Sequence, residues 1–221
     1  MIPSAVRLAL FDLDDTLLDG DITVLWNEWL IEQGWITDVS EYRRIWDSHM
    51  VDYAAGTLDM EAHLAFLLTP LVGRKVQDVA NQVHVFLDSR IIPRLFPGGL
   101  AQLAWHREKG HTIIIISAST LQLVLPLAKR LGCDVALATD LEQQEGRYTG
   151  LAQGTRTFKE GKLAALKEWL GDTPLLETWG YSDSHNDLPL LESVENPHAV
   201  HPDPVLADIA RQRDWAILSW R

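Results

Sequence analysis

Residues 10 to 17 read Leu-Phe-Asp-Leu-Asp-Asp-Thr-Leu and set three carboxylates, Asp12, Asp14 and Asp15, at the end of the apolar run Val6 to Phe11. Charges packed this closely repel unless a cation or a bound proton offsets them. Three other stretches carry groups that suit such a cluster. Consecutive isoleucines run into Ser117, Ala118 and Ser119, Phe-Lys-Glu-Gly-Lys puts Lys159 and Lys162 where a helix begins, and Gly-Tyr-Ser-Asp-Ser-His-Asn-Asp sets Asp183 four residues before Asp187. Carboxylates are hard oxygen ligands for a divalent cation, while hydroxyls, backbone N–H groups and an ammonium are what a phosphate binds. Together the residue types point to chemistry on a phosphate.

Groups this far apart in the chain need elements that converge. Val6 to Phe11 reads as a buried strand. From Ile22 to about Phe96 the signals are helical: apolar and aromatic residues recur near 3.6 spacing in Trp26, Trp29 and Leu30 and again in Leu64, Ala65, Leu67 and Leu68. Gly34, Gly56 and Pro70 punctuate this block, which predicts about four helices. After Pro97-Gly98-Gly99 the chain alternates: helix Leu100 to Glu108, strand Thr112 to Ile116, helix Leu121 to Leu131, strand Val135 to Ala138. A hairpin region with Gly146 and Gly150 then leads to helix Gly161 to Leu170, strand Leu176 to Gly180 and shorter pieces up to Trp220. Alternation of this kind makes a parallel sheet covered by helices, in which chemistry collects at the carboxyl ends of the strands. The first strand ends at Asp12, the second at Ser117 and the fourth near Asp183. The expected architecture is an α/β, Rossmann-like core of residues 1–18 and 97–221, interrupted by a helical cap at 19–96.

The order Asp-x-Asp-x-Thr at Asp12, Asp14 and Thr16, then a serine after an apolar strand, then a lysine, then Asp-x-x-x-Asp resembles the haloacid dehalogenase superfamily of phosphatases. Within it the chain is similar to the phosphoserine phosphatase-like branch, subfamily IB, whose helical cap lies between the first and second motifs. The resemblance runs over nearly the whole chain. It implies that Asp12 is a nucleophile forming an aspartyl phosphate and that Asp14 is the acid and base serving the leaving alcohol and the attacking water. It implies Mg²⁺ held by the Asp12 carboxylate, the Asp14 backbone carbonyl and Asp183, with Asp187 orienting metal-bound water or the lysine. Ser117 and the N–H of Ala118 would take phosphate oxygens, with Asn186 a further phosphate-side candidate. Lys162 fits the Gly-Lys-x-x-x-Leu form of the branch, and Lys159 is the near alternative. Asp21, nine positions after the nucleophile, falls where phosphoserine phosphatases place an acid that binds the substrate amine; an aspartate there is also a good N-cap for a helix opening at Ile22. Asp15 reads as a solvated turn residue, His185 as solvent-facing, and the tryptophans as packing groups.

Composition narrows the partners. The chain has 221 residues, of which 47% are apolar and 23% charged, and no apolar run approaches the ~18 residues of a membrane span. The opening residues lack a basic leader with a cleavable apolar stretch, and the lone Cys133 suits a reducing compartment, so the expectation is a cytoplasmic protein. A net charge of -12 without a Lys/Arg stripe argues against a nucleic-acid partner, and the expected partner is a small phosphorylated metabolite. Between residues 19 and 95 there are 12 Asp/Glu and 6 Lys/Arg, so a cationic leaving group fits the cap better than an anionic one. This favours histidinol phosphate over phosphoserine, whose carboxylate would call for a cap arginine, with Arg43 and Arg44 as candidates. The alternatives are a phosphatase of another small ester, or a receiver-like module that accepts phosphate on aspartate without turnover. The long helical insertion and the second acidic pair have no place in a receiver, and turnover of p-nitrophenyl phosphate separates the two classes.

Overall fold

The computed structural model describes residues 6–55 and 57–221, apart from the side chains at 53 and 54. The first five residues, on which the leader reading partly rests, and Gly56, read as a helix break, lie outside it. Strand β1 (Val6–Phe11) is apolar on both faces from Leu8 onward because it is central. Its alternate residues Val6, Leu8 and Leu10 pack with Leu166, Leu170 and Leu190, while Ala9 and Phe11 join Leu103, Leu123 and Leu127 on the opposite face. The helical block follows as α1 (Ile22–Glu32), α2 (Val39–Ala55), α3 (Met60–Leu68) and α4 (Val76–Phe86). The alternating part comprises α5 (Pro97–Glu108), β2 (Thr112–Thr120), α6 (Leu121–Arg130), β3 (Val135–Gln144), β4 (Arg147–Gln153) and α7 (Glu160–Leu170). It ends with β5 (Leu175–Ser182), α8 (Leu188–Leu191), β6 (Asn196–Val200), α9 (Pro204–Gln212) and β7 (Ala216–Leu218).

Among the described residues seven strands form one sheet in the order β4-β3-β2-β1-β5-β6-β7, parallel except for β4. The chain builds outward from β1 first on one side and then on the other. The switch point therefore lies at the carboxyl ends of β1, β2 and β5, where an open α/β sheet leaves a crevice. Two strands outrun their sequence reading. β2 continues past Ile116 to pair Thr120 with Thr139 after a shift in register, and β3 continues past Ala138 because the antiparallel β4 supplies it with partners. The hairpin turns at Glu145 and Gly146, both at positive φ (50° and 71°), and Gly150 lies inside β4 rather than in the turn.

The chain leaves and re-enters the sheet unit along paired segments. Asp19 N–H donates to Arg94 carbonyl and Phe96 N–H to Leu17 carbonyl, both at 2.9 Å, flanking an antiparallel bridge between Leu18 and Leu95. A second tie joins residues 73–76 to the β3–β4 hairpin: Gly73 N–H donates to Tyr148 carbonyl at 2.8 Å and Val76 N–H to Gly146 carbonyl at 2.9 Å. Against one sheet face lies a buried polar and aromatic cluster. His106 Nδ1 sits 2.7 Å from His111 Nδ1, and His106 Nε2 sits 2.9 Å from the Tyr181 hydroxyl, beside Phe11 and Trp179. Among the described residues no helix is long and apolar enough to cross a membrane.

Candidate active site

Asp12 follows β1 in the register of Leu8 and Leu10, the face that α7 covers, and this brings its carboxylate to the first turn of α7. That turn is tight. Lys159 sits at φ 51°, and a Cβ on Gly161 would lie 1.8 Å from the Arg156 carbonyl oxygen, so only glycine fits. The next residue, Lys162, is buried and donates from Nζ to Asp12 Oδ1 at 2.6 Å and to Asp187 Oδ2 at 2.7 Å. Lys159 is exposed, with its ammonium over the Phe158 ring, so the lysine that reaches the carboxylates is Lys162. Asp187 Oδ2 also accepts from the Ser182 hydroxyl at 2.7 Å. Asp183, just beyond β5, is tied to the first motif: the Thr16 hydroxyl donates to Asp183 Oδ1 at 3.1 Å and accepts from the Asp183 N–H at 2.9 Å.

Asp14 engages a different set of partners from Asp12. Its Oδ1 accepts the Ile22 N–H at the start of α1 at 2.7 Å, and its Oδ2 accepts the Ser117 and Ser119 hydroxyls, each at 3.1 Å. Ser119 Oγ lies 3.0 Å from Thr23 Oγ1, so Asp14 is held jointly by β2 and α1. The Ser117 hydroxyl accepts the Ser119 N–H at 3.0 Å, and Ala118 between them is exposed. Asp21 is the N-cap of α1, its Oδ1 accepting Thr23 N–H at 2.7 Å and Val24 N–H at 2.9 Å, and it also lines the adjoining cavity. Both readings of Asp21 thus meet in one side chain. Asp15 is exposed at φ 54° in the turn, and His185 is exposed and paired with Asp203, so neither belongs to the carboxylate cluster. Asn186 stands in the short turn His185–Asp187 with its N–H on Ser184 Oγ and is not among the residues lining the cavity.

Four carboxylates, Asp12, Asp14, Asp183 and Asp187, face one ammonium here. Burial pushes Asp12 up to about 6 although Lys162 opposes the rise, and burial together with Asp12 pushes Asp183 up to about 8. Burial, then Asp21 and Asp12, hold Asp14 well above the usual carboxylate range. Burial works against the Lys162 ammonium too, yet Asp12 and Asp187 carry it above its ordinary value. A cluster that retains protons in this way is short of positive charge, and its donors are all oxygens, the set a hard divalent cation takes. Mg²⁺ fits that donor set. Among the described residues, however, no three His, Cys, Asp or Glu side chains converge as a metal cage. With the Asp14 carboxylate taken up by Ser117, Ser119 and Ile22, the backbone carbonyl is what Asp14 has left to offer.

A cavity of about 460 Å³ opens between this cluster and the helical block. Asp14, Ala118 and Ser119 line it from the sheet side, and Trp46, His63 and Leu64 from α2 and α3. Trp26 and Trp220 are buried packing groups, whereas Trp46 packs against the His63 ring and also lines the cavity. Arg43 and Arg44 are exposed and off the cavity, Arg44 being paired with Glu41; the arginine that does line it is Arg156, from the segment before α7. Thr16 and Ser119 stood in their motifs without an assigned role, and His63 and Arg156 were not singled out from sequence. Ser119 carried a signal, as the second hydroxyl of Ser-Ala-Ser, whereas His63 and Arg156 had none because only the fold brings them to one cavity.

The haloacid dehalogenase-like hydrolase model matches residues 9–192, which contain every motif described above. The chain belongs to this family. Among curated relatives of this hydrolase is a histidinol-phosphatase of Neisseria meningitidis, 35% identical over 221 residues, covering 97% of this chain and 99% of the relative. A phosphoserine phosphatase of Mycobacterium tuberculosis is 30% identical over 227 residues, covering 96% of this chain and 70% of the relative. A crystal structure of a Bordetella pertussis protein of unknown function matches with a TM-score of 0.92 at 35% identity, over 98% of this chain and 100% of that one. A phosphoserine phosphatase captured as a phospho-aspartyl intermediate analogue shares the fold, with a TM-score of 0.65 at 20% identity over 98% of this chain and 94% of that one. The hydrolase is thus a phosphomonoesterase similar to phosphoserine phosphatases, and the receiver reading falls away.

Proposed function

We propose that the enzyme hydrolyses a small, amine-bearing phosphomonoester in the cytoplasm through an aspartyl phosphate on Asp12, with histidinol phosphate and phosphoserine as the leading substrates. The observation that carries this reading is the buried Lys162 bridging Asp12 and Asp187 at the switch point of the sheet. Residues 19–96 act as the cap that covers the leaving group, which the paired crossings near Leu18 and Leu95 support. Mg²⁺ would be held by the Asp12 and Asp183 carboxylates and the Asp14 carbonyl. When bound, it offsets their mutual repulsion and draws charge from the phosphoryl oxygens.

The residues then divide the work. Lys162 holds Asp12 Oδ1, which leaves Oδ2 to attack phosphorus. As that bond forms, the bond from phosphorus to the leaving oxygen breaks, and the alcohol departs with the proton that Asp14 carries. Asp14, now ionised, takes a proton from water, whose oxygen attacks the phosphorus of the aspartyl phosphate. Phosphate leaves, and both aspartates return to their starting states. Ser117 and the Ala118 N–H bind phosphoryl oxygens, and Lys162 balances the charge that builds on the transferred group. Asp21 receives the ammonium of the leaving group. The test is phosphate release with Mg²⁺ from histidinol phosphate, O-phosphoserine, O-phosphoethanolamine, sugar phosphates and nucleotides. The amine-bearing esters should show the highest kcat/KM; sugar phosphates or nucleotides turned over as well would overturn the substrate reading.

A further inference from the structure

One part of the cavity lining has a composition that the phosphate chemistry does not use. Trp46, Met50, Leu64, Leu67 and Phe158 make its walls apolar. The buried His63 lies among them. Its Nδ1 sits 3.0 Å from Nδ1 of His49, and its ring is fixed by Trp46 at 5.8 Å and His49 at 5.1 Å between centroids. With Nδ1 committed, Nε2 is the ring nitrogen left for a ligand, and among the described residues it has no partner. If His63 donates to His49, Nε2 accepts; if it accepts, Nε2 donates. A ligand ring carrying both an N–H and a bare nitrogen satisfies either state.

The charges of the lining point the same way. Its described carboxylates are Asp14, Asp21 and Glu61, and its one described Arg or Lys is Arg156. That guanidinium is largely taken: Nε and Nη2 hold Glu61 at 3.1 and 3.3 Å, Nη1 holds the Gly154 carbonyl at 2.8 Å, and Nη2 also holds the Ala152 carbonyl at 3.2 Å, which leaves a single Nη1–H. A carboxylate brought into this cavity finds three carboxyl groups and, among the described lining residues, only a guanidinium already paired with one of them.

We infer that His63 is a specificity-determining residue: it forms, with Trp46 and the apolar wall, a distal subsite for a flat nitrogen heterocycle on the leaving alcohol, and the Glu61–Arg156 pairing leaves a carboxylate no unpaired cation among the described lining residues. The inference rests on the phosphatase reading above and names the leaving group more narrowly. An imidazole-bearing amino alcohol phosphate fits; a phosphorylated amino acid does not.

The experiment compares kcat/KM for histidinol phosphate, O-phosphoethanolamine and O-phosphoserine in the intact enzyme and in His63→Leu. In the parent, histidinol phosphate should exceed phosphoethanolamine by about tenfold or more, and phosphoserine should fall below phosphoethanolamine. His63→Leu should lower kcat/KM for histidinol phosphate by roughly fivefold, the central value of one neutral hydrogen bond, mainly through KM. The loss on phosphoethanolamine should stay within about twofold, since that ester has no ring to bind. His63→Gln, which keeps a hydrogen-bonding group, should recover part of the loss and serves in its place if His63→Leu does not fold. Equal losses on both esters, or phosphoserine turned over as well as histidinol phosphate, would overturn the subsite. So would hydrolysis of p-nitrophenyl phosphate with none of the three esters cleaved, whereas a protein that leaves p-nitrophenyl phosphate intact as well would overturn the phosphatase reading itself.

Discussion

Replacing Lys162 with methionine keeps the length and apolar stem of the side chain and removes only the ammonium. In the parent Lys162 is 4% exposed, and its ammonium makes hydrogen-bonded ion pairs of 2.6 Å with Asp12 and 2.7 Å with Asp187. Breaking a buried pair by removing one partner costs about 3 to 5 kcal/mol, because the other charge stays buried without compensation. For a chain of this size each kcal/mol moves Tm by about 2 to 4 °C, so the expected loss is roughly 6 to 20 °C. The deficit should also depend on pH. Asp12, already pushed to about 6, rises further once the ammonium is gone. A carboxyl whose folded pKa lies above its unfolded value stabilises the fold at low pH and loses that contribution as pH climbs through the folded value. The deficit should therefore be largest near pH 8 and shrink toward pH 5. The assay is Tm by circular dichroism from pH 5 to 8 in EDTA, with Lys162→Met/Asp12→Asn as a control that removes one stranded charge and should recover part of the loss. A Tm within about 2 °C of the parent at every pH would refute the claim that Lys162 neutralises the buried carboxylates.

Dialysis against EDTA should abolish phosphate release and Mg²⁺ should restore it, and full activity after complete chelation would rule out the metal set proposed for Asp12, Asp14 and Asp183. Asp21→Asn retains a good N-cap, so Tm should barely change, while kcat/KM for amine-bearing esters should fall roughly 10- to 150-fold and that for p-nitrophenyl phosphate stay level; no loss on either substrate, or equal losses on both, would take Asp21 out of amine binding. Burial holds His106 down to about 3, against an ordinary 6.5. Its contribution to stability is complete above pH 6.5 and drains as pH falls toward 3, at up to about 1.4 kcal/mol per pH unit. His106→Gln should accordingly lose less Tm than the parent between pH 7 and pH 5, the raised carboxyls of the site affecting both proteins alike, and parallel curves would contradict the reading.

Asp12, Ser117 and Asp183 were legible because a parallel sheet with alternating helices brings strand ends together, and each follows a run that reads as a strand. The choice between Lys162 and Lys159 needed backbone detail: the positive φ at Lys159 and the missing Cβ at Gly161 turn one lysine outward and the next inward. Strand ends were harder, since β2 and β3 are lengthened by partners that local periodicity cannot see. The cavity was least legible. His63 reads as an ordinary amphipathic-helix position, Arg156 as a loop residue, and Trp46 as packing, and only the juxtaposition of α2 and α3 with the segment before α7 gives them a common surface. Arg43 and Arg44 were candidates through charge and location in the cap alone, which do not say which helix face meets the substrate.

The central claim is the covalent intermediate on Asp12. Asp14→Asn should slow hydrolysis of that intermediate more than its formation when the leaving group is good, so acid quenching of this variant during turnover of ³²P-labelled p-nitrophenyl phosphate tests the claim directly. The account predicts hydroxylamine-labile label on the peptide that contains Asp12, and none in Asp12→Asn/Asp14→Asn. Label on another residue, or an Asp12→Asn enzyme that keeps a tenth of parent turnover, would contradict it.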